Sequence, residues 1–407
     1  MVKIKPASTF EEAYNNLNPN EPLPGEKHPF YVPRPPLFNP GPLQEALKAA
    51  NPGDKLLFSG HRGSGKSTEL LRIYSQLEGQ NPVIHINVET ILDLGDIDYH
   101  DVLLALGEGL AREARKLKVR AASKSIKKMQ SWYEEVFREQ GRGIEAEISI
   151  GFPLLTARLR GGAEVRKTVR EKVERRLSEL LGLLNELIEK IQSKTKRPPV
   201  VLVDGLDKVY DLARAVKVFR DGAGALIAPT CIIVYTVPHV LLYDPTLGGV
   251  LMSFRGQYQL PNISPFNRDG TRHQEGWRAL EEVLTRRVEE KLLPEETREK
   301  LIYLSGGVIR HLLTFAGEAV LRAMQQRHRT VTPEDVEEVE HRNRIILSPI
   351  FTRSQREILK QVASEHTYVN SEEARNLAMN LHILHYVVGR EEWWDVHPLL
   401  KPMVKEW

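Results

Sequence analysis

Eight residues constrain this chain more than any others. Gly60-His61-Arg62-Gly63-Ser64-Gly65-Lys66-Ser67 matches G-x-x-x-x-G-K-S/T at every fixed position. The apolar run before them, Lys55–Ser59, reads as a strand, and Lys66–Leu77 after them reads as a helix. Glycines let the backbone amides of such a loop turn towards phosphate oxygens, and the helix N-terminus adds partial positive charge. Lys66 is expected at the β- and γ-phosphates of ATP and Ser67 on Mg²⁺. Gly60, His61, Arg62, Gly63, Ser64, Gly65 and Thr68 complete the candidate cradle.

A second buried run, Val200-Val201-Leu202-Val203, ends in Asp204, a carboxylate placed to hold Mg²⁺. Gly205 follows it, and the next acid is Asp207, a candidate for polarising the attacking water; the plainer reading of Asp207 is a helix N-cap. Further apolar strands are expected at Pro82–Val88, Pro199–Val203 and Cys231–Thr236, with helices between them. That alternation implies an α/β fold: a parallel-sheet P-loop ATPase core with right-handed crossovers.

The expected organisation is a Pro-rich extended segment over 1–42 and the core over 43–262, which carries a basic helical insertion at about 111–198. A helical lid then spans 263–345, and a winged-helix-like domain spans 346–407. One amphipathic helix is expected from about Ala163 to Gln192, a small hairpin within 145–162, and lid helices at about 273–291, 294–304 and 308–327. The last segment reads as a helix at 353–364, a short helix near 371–379, and strands Leu381–Val388 and Glu391–Val396 joined at Gly389-Arg390. The single cysteine, Cys231, excludes an internal disulfide, and no apolar run reaches the ~18 residues that span a bilayer. With an N-terminus that lacks a signal-like apolar core, these features point to the cytoplasm and away from a membrane.

Gly60–Ser67 together with Val200–Asp207 (VVLVDGLD) resembles the STAND branch of P-loop ATPases, related to AAA+ and NACHT proteins. The resemblance extends over roughly residues 28–330. It implies that Tyr31-Val32-Pro33-Arg34 packs on the adenine, with Tyr31 and Val32 among the binding residues. It implies a sensor strand Ile232–Thr236 with Thr236 near the γ-phosphate, and a lid segment Ser305–Leu313 whose Arg310 touches the phosphates. An arginine finger from a neighbouring subunit is a family feature; Arg255, Arg268 and Arg272 lie in the plausible region. The implied catalytic set is Lys66, Asp204, Asp207, Thr236 and Arg310, with Ser67 and Asp204 on Mg²⁺.

The function expected from the resemblance is a slow ATP-hydrolysing switch. ATP or ADP would govern homo-oligomerisation or contact with a separate effector protein in signalling or defence. The alternative is a DNA-associated AAA+ ATPase of the replication-loading or transposition-regulator type. From Arg112 to Arg197 the chain carries 22 Lys/Arg and 12 Asp/Glu, an excess that suits nucleic acid or an acidic partner. From Val331 to Trp407 it carries 9 Lys/Arg and 13 Asp/Glu, which opposes DNA binding by the terminal domain. A nucleotide-binding scaffold without useful hydrolysis is the third reading.

Overall fold

The computed structural model describes residues 5–38, 41–137, 162–348 and 350–407. In chain order the elements begin with α1 (Phe10–Asn16), α2 (Gly41–Lys48), β1 (Lys55–Gly60), α3 (Lys66–Leu77), β2 (Val83–Asn87), α4 (Tyr99–Lys116) and α5 (Ser123–Phe137). Next come α6 (Ala163–Arg175), α7 (Leu177–Thr195), β3 (Val200–Asp204), α8 (Leu212–Arg220), α9 (Ala223–Ile227), β4 (Ile232–Pro238), α10 (Gly248–Leu251) and β5 (Gly256–Gln259). The chain ends with α11 (Gln274–Thr285), α12 (Glu295–Ser305), α13 (Ile309–Gln326), α14 (Pro333–Leu347), α15 (Arg353–Glu365), α16 (Glu372–Met379), β6 (Ile383–Val388), β7 (Glu391–Val396) and α17 (Lys401–Glu406). These elements pack into two compact units. One comprises residues 1–41, 59–72 and 259–407, the other residues 42–58 and 73–258.

The second unit holds the α/β sheet core except the phosphate-binding loop, the end of β1 and the last residue of β5, which fall in the other unit. Its five-stranded parallel sheet has the order β2-β3-β4-β1-β5. Val83 lies opposite Val200, and Val200 opposite Ile232. Every residue of β1, β3 and β4 is buried, which explains why VVLVD and IIVYTVP are continuous apolar runs rather than alternating ones. Lys55 anchors the start of β1: its Nζ donates to Gly53 O (2.6 Å), Pro229 O (2.6 Å) and Cys231 O (2.9 Å). Burial pushes Lys55 down to about 8 and the Cys231 thiol up to about 12, so Cys231 stays a protonated core side chain. The polar strand β5 has no apolar pattern to betray it; backbone pairing makes it, as where Arg255 N donates to Lys55 O (2.8 Å).

Two expectations in this unit change. The helix expected over 163–192 is two helices, α6 and α7, because Arg176 leaves helical geometry (φ −123°, ψ 24°) while the apolar periodicity runs on across it. The helical insertion, given no individual element between 120 and 145 by the sequence, contains α5, whose Ile126, Met129, Trp132, Tyr133 and Val136 are buried. The hairpin expected within 145–162 lies outside the described residues except for Gly162.

In the other unit, α11 to α14 enclose one apolar cluster that includes Leu280, Leu301, Leu312, Ala316 and Val320. Residues 1–42 are not extended throughout. Thr9 caps α1, accepting from Glu12 N (3.3 Å), and Ala13 and Leu17 enter that same cluster. Phe10, Ala13 and Leu17 fall on one helical face in a stretch without proline, so burial against α13 overrides the local polar composition. Ala7 also exchanges backbone hydrogen bonds with Arg287 O (2.8 Å) and Glu289 N (3.0 Å). The lid gains a fourth helix, α14, opened by a capping box between Thr332 and Asp335. The terminal segment folds as expected, two helices and an antiparallel hairpin, with Trp393 and Trp394 buried at 2% and 3% exposure.

Candidate nucleotide-binding site

The phosphate-binding loop, the N-terminal strap and the lid segment lie in one unit. Gly63 and Gly65 adopt φ of +83° and +98°, a left-handed geometry that glycine alone enters without strain. Gly63 also lies against the lid: a Cβ there would fall 2.7 Å from Arg310 Cβ. Gly63 O accepts from Arg310 N (3.1 Å), which ties the first turn of α13 to the loop. Lys66 is 4% exposed, and its Nζ donates to Gly60 O (2.7 Å) and His61 O (2.8 Å) across the loop's mouth. His61 is 3% exposed, and its Nε2 accepts from His385 N (2.7 Å) of β6. Burial, with His385 and Lys66 nearby, holds His61 well below its usual pKa, as an acceptor nitrogen requires.

The strap runs over the first turns of α3. Leu23 N donates to Thr68 Oγ1 (3.2 Å), and Tyr31 OH donates to Glu69 Oε1 (3.2 Å). Arg34, which closes the segment expected on the adenine but was given no binding role of its own, braces the loop: Nη1 donates to Pro261 O (2.8 Å), Nη2 reaches Ser64 O of the loop, and Nε lies 3.8 Å from Glu69. Glu69 also accepts from Arg72 Nε (2.7 Å), so one carboxylate serves two guanidiniums and a phenol. Burial lowers Arg34 and raises Tyr31 from their ordinary values. Val32 packs on the lid's apolar cluster, while Arg286 Nη1 donates to Tyr31 O (2.6 Å). The strap is therefore held at both the loop and the lid.

Asp204, Asp207 and Thr236 belong to the other unit. Asp204, 1% exposed, ends β3 opposite Asn87 of β2, and His85 Nε2 lies 3.6 Å from its Oδ2. His85 and Asn87 are polar residues two apart on an otherwise apolar strand, a signal that the sequence carried and the candidate set omitted. Gly205 takes φ of +97°, turning the chain sharply after Asp204. Thr236 Oγ1 accepts from Leu206 N (3.0 Å) and donates to Val203 O (3.2 Å). Its only proton is thus engaged in bracing the turn behind Asp204. Asp207 lies in the 3₁₀ turn Leu206–Lys208; the cap of the next helix is Asp211, which accepts from Ala213 N (2.9 Å).

The basic insertion is partly neutralised. Arg166 Nε donates to Asp96 (2.7 Å), and Arg170 pairs with Asp101 (2.6 Å) and Asp96 (3.2 Å). Burial alone would raise Asp96, but hydrogen bonds from Arg166 and Arg214 and the charge of Arg170 pull it down to about 2.

No protein-family model matches the sequence, and no curated protein matches it. The solved structures it resembles include Cdc6p from Pyrobaculum aerophilum, at 12% identity and TM-score 0.39 over 94% of this chain and 98% of that one. They also include the Aeropyrum pernix Orc1 protein in complex with DNA, at 14% identity and TM-score 0.42 over 97% and 96%. The Drosophila ORC bound to DNA aligns at 13% identity and TM-score 0.41 over 90% of this chain and 76% of that one. Likeness of this size carries no argument about activity or partners. Among the described residues no helix is long and apolar enough to cross a membrane.

Proposed function

We propose that this chain is an ATP-binding and ATP-hydrolysing switch of the AAA+ class, with a winged-helix domain after its lid. The observation that carries the proposal is the phosphate loop whose Gly63 carbonyl is held by the backbone of Arg310. A triphosphate that reshapes this loop must move or retain the start of the lid helix, which is how nucleotide state reaches distant surfaces. The donors fit the group: backbone amides of a left-handed glycine loop, a buried lysine, and the hydroxyl of Ser67 at a helix N-terminus. Magnesium would supply charge neutralisation to the phosphates. Ser67 and Asp204 would hold the ion, Asp207 would orient water, and Arg310 would sense the γ-phosphate. The strap residues Tyr31 and Val32 would border the base, with Arg34 setting loop geometry.

Lys66→Ala tests the core of this reading. Losing charge-assisted bonds of about 2 kcal/mol or more should weaken binding of a fluorescent ATP analogue by roughly 30-fold. Asp204→Asn should abolish the magnesium-dependent part of that affinity. Unchanged binding in Lys66→Ala defeats the proposal.

For the output, the DNA-associated alternative has more support from this chain than the signalling switch. Part of the basic excess stands exposed among the described residues, including the short segment from Arg112 to Lys128 with net charge +7. The VVLVDGLD signature remains the only support for the narrower STAND assignment. Nucleotide-dependent homo-oligomerisation is part of both readings, and mass measurement with and without an ATP analogue tests it.

A further inference from the structure

We infer that the corner made by the end of α4, the turn after it and the start of α5 is a docking surface for the phosphate backbone of duplex nucleic acid. The inference rests on the DNA-associated reading above. Arg112–Lys128 holds eight Lys/Arg and one acid in 17 residues. That acid, Glu113, is 8% exposed and lies 3.9 Å from Lys116, so little of its carboxylate faces solvent.

The fold sorts these cations. Arg112, Lys116 and Lys128 each keep a carboxylate nearby, at 3.9, 3.6 and 3.1 Å, yet their side chains stay 56%, 54% and 49% exposed. Lys118, Arg120, Lys124 and Lys127 are exposed and have no ion-pair partner among the described residues. Local structure sets the four along the turn after α4 and the first turns of α5. Lys118 takes a left-handed φ of +51° to end α4, and Val119 and Ala122 are buried beneath the turn. On α5 the apolar face from Ile126 to Val136 is buried, which leaves Lys124, Lys127 and Lys128 at i, i+3 and i+4 on the outer face.

The same chain shows what structural cations look like. Arg166 and Arg170 are locked to Asp93, Asp96 and Asp101, and Arg176 to Glu135 (2.9 Å) and Glu179 (2.6 Å). No large apolar side chain is exposed from 112 to 137. The corner therefore lacks both the anchors of a protein interface and the apolar face of a membrane-surface helix. Lysine-rich surfaces of this kind contact phosphates without reading sequence.

The test uses the full chain and a labelled duplex of about 30 base pairs, with affinity followed against salt. The wild type should bind with a steep salt dependence. The quadruple variant Lys118→Gln, Arg120→Gln, Lys124→Gln, Lys127→Gln should lose about 3 to 4 units of the log–log slope, at about 0.9 per phosphate contact. Its melting temperature and affinity for the ATP analogue should match the wild type. Arg166→Gln with Arg170→Gln should leave the slope nearly unchanged. A wild type that ignores duplex sinks the DNA-associated reading and the corner with it. A wild type that binds, beside a quadruple variant with the same slope, sinks the corner alone. Displacement of duplex by poly-glutamate at equal charge concentration overturns the nucleic-acid assignment in favour of an acidic protein.

Discussion

Mild acid should destabilise the unit that carries the lid, and His311 allows the size of the effect to be worked out. His311 lies in the first turn of α13, beside Arg310. Its Nδ1 is 3.0 Å from His397 Nε2, and its ring stacks on Phe315 at 5.3 Å. Leu399 N donates to His397 Nδ1 (3.3 Å), so the His397 proton sits on Nε2 and is given to His311 Nδ1; each ring thus keeps one accepting nitrogen and both are neutral. Burial first, and Arg310 second, push His311 down to about 4. An unfolded histidine titrates near 6.5. The unfolded chain therefore takes up the proton at a pH where the folded chain refuses it. Stability from this site is complete above pH ~6.5 and drains away as pH falls towards ~4. Linkage puts the loss at about 2 kcal/mol at pH 5 and about 3 kcal/mol below pH 4. His382, also pushed to about 4 by burial, adds a similar amount, whereas His100, raised by Asp98 and Glu174 against its burial, acts in the opposite sense. Comparison with His311→Gln isolates one site from the rest. Urea unfolding, followed by the tryptophans, of which Trp277, Trp393, Trp394 and Trp407 lie in this unit, should show the variant's deficit at pH 8 shrinking by about 2 kcal/mol at pH 5. A deficit constant to within about 0.5 kcal/mol would refute the argument that burial keeps this ring neutral.

Two further outcomes follow from the geometry. Gly307 takes φ of +77°, and an added Cβ would meet Ile263 O at 2.1 Å, a backbone atom that cannot step aside. Gly307→Ala should cost about 3 kcal/mol or more, read as a shift in the urea midpoint, and a loss under about 1 kcal/mol would mean that the lid turn is looser than its contacts imply. Asp207→Asn should lower ATP turnover by about 100-fold or more while leaving affinity for the ATP analogue intact, the split expected of a group that acts on water; equal turnover would favour the scaffold reading.

Much of the core could be read directly from the residues. G-x-x-x-x-G-K-S and the apolar runs at 55–59, 200–203 and 231–236 are local signals, because each strand is buried on both faces and must be apolar along its length. The terminal hairpin was legible for a similar reason: Gly389 and Arg390 interrupt two strand-like runs. The failures share a cause. The polar strand β5 and the short helix α1 owe their form to partners distant in sequence, β1 for the first and α13 for the second. The α6–α7 break leaves the apolar period intact, so periodicity passes over it.

The candidate site divides along the same line. The residue types able to bind a phosphate and a metal were set by composition and spacing, since backbone amides, a lysine and a carboxylate suit that chemistry wherever they occur. Only the tertiary structure decided which charges are spent. It engaged the hydroxyl of Thr236 behind Asp204, put Arg34 on the loop, buried His61 against β6, and locked Arg166 and Arg170 to aspartates while Lys118, Arg120, Lys124 and Lys127 stayed in solvent. Charge is a property of a residue type. Its availability depends on neighbours and desolvation, and those exist only after folding.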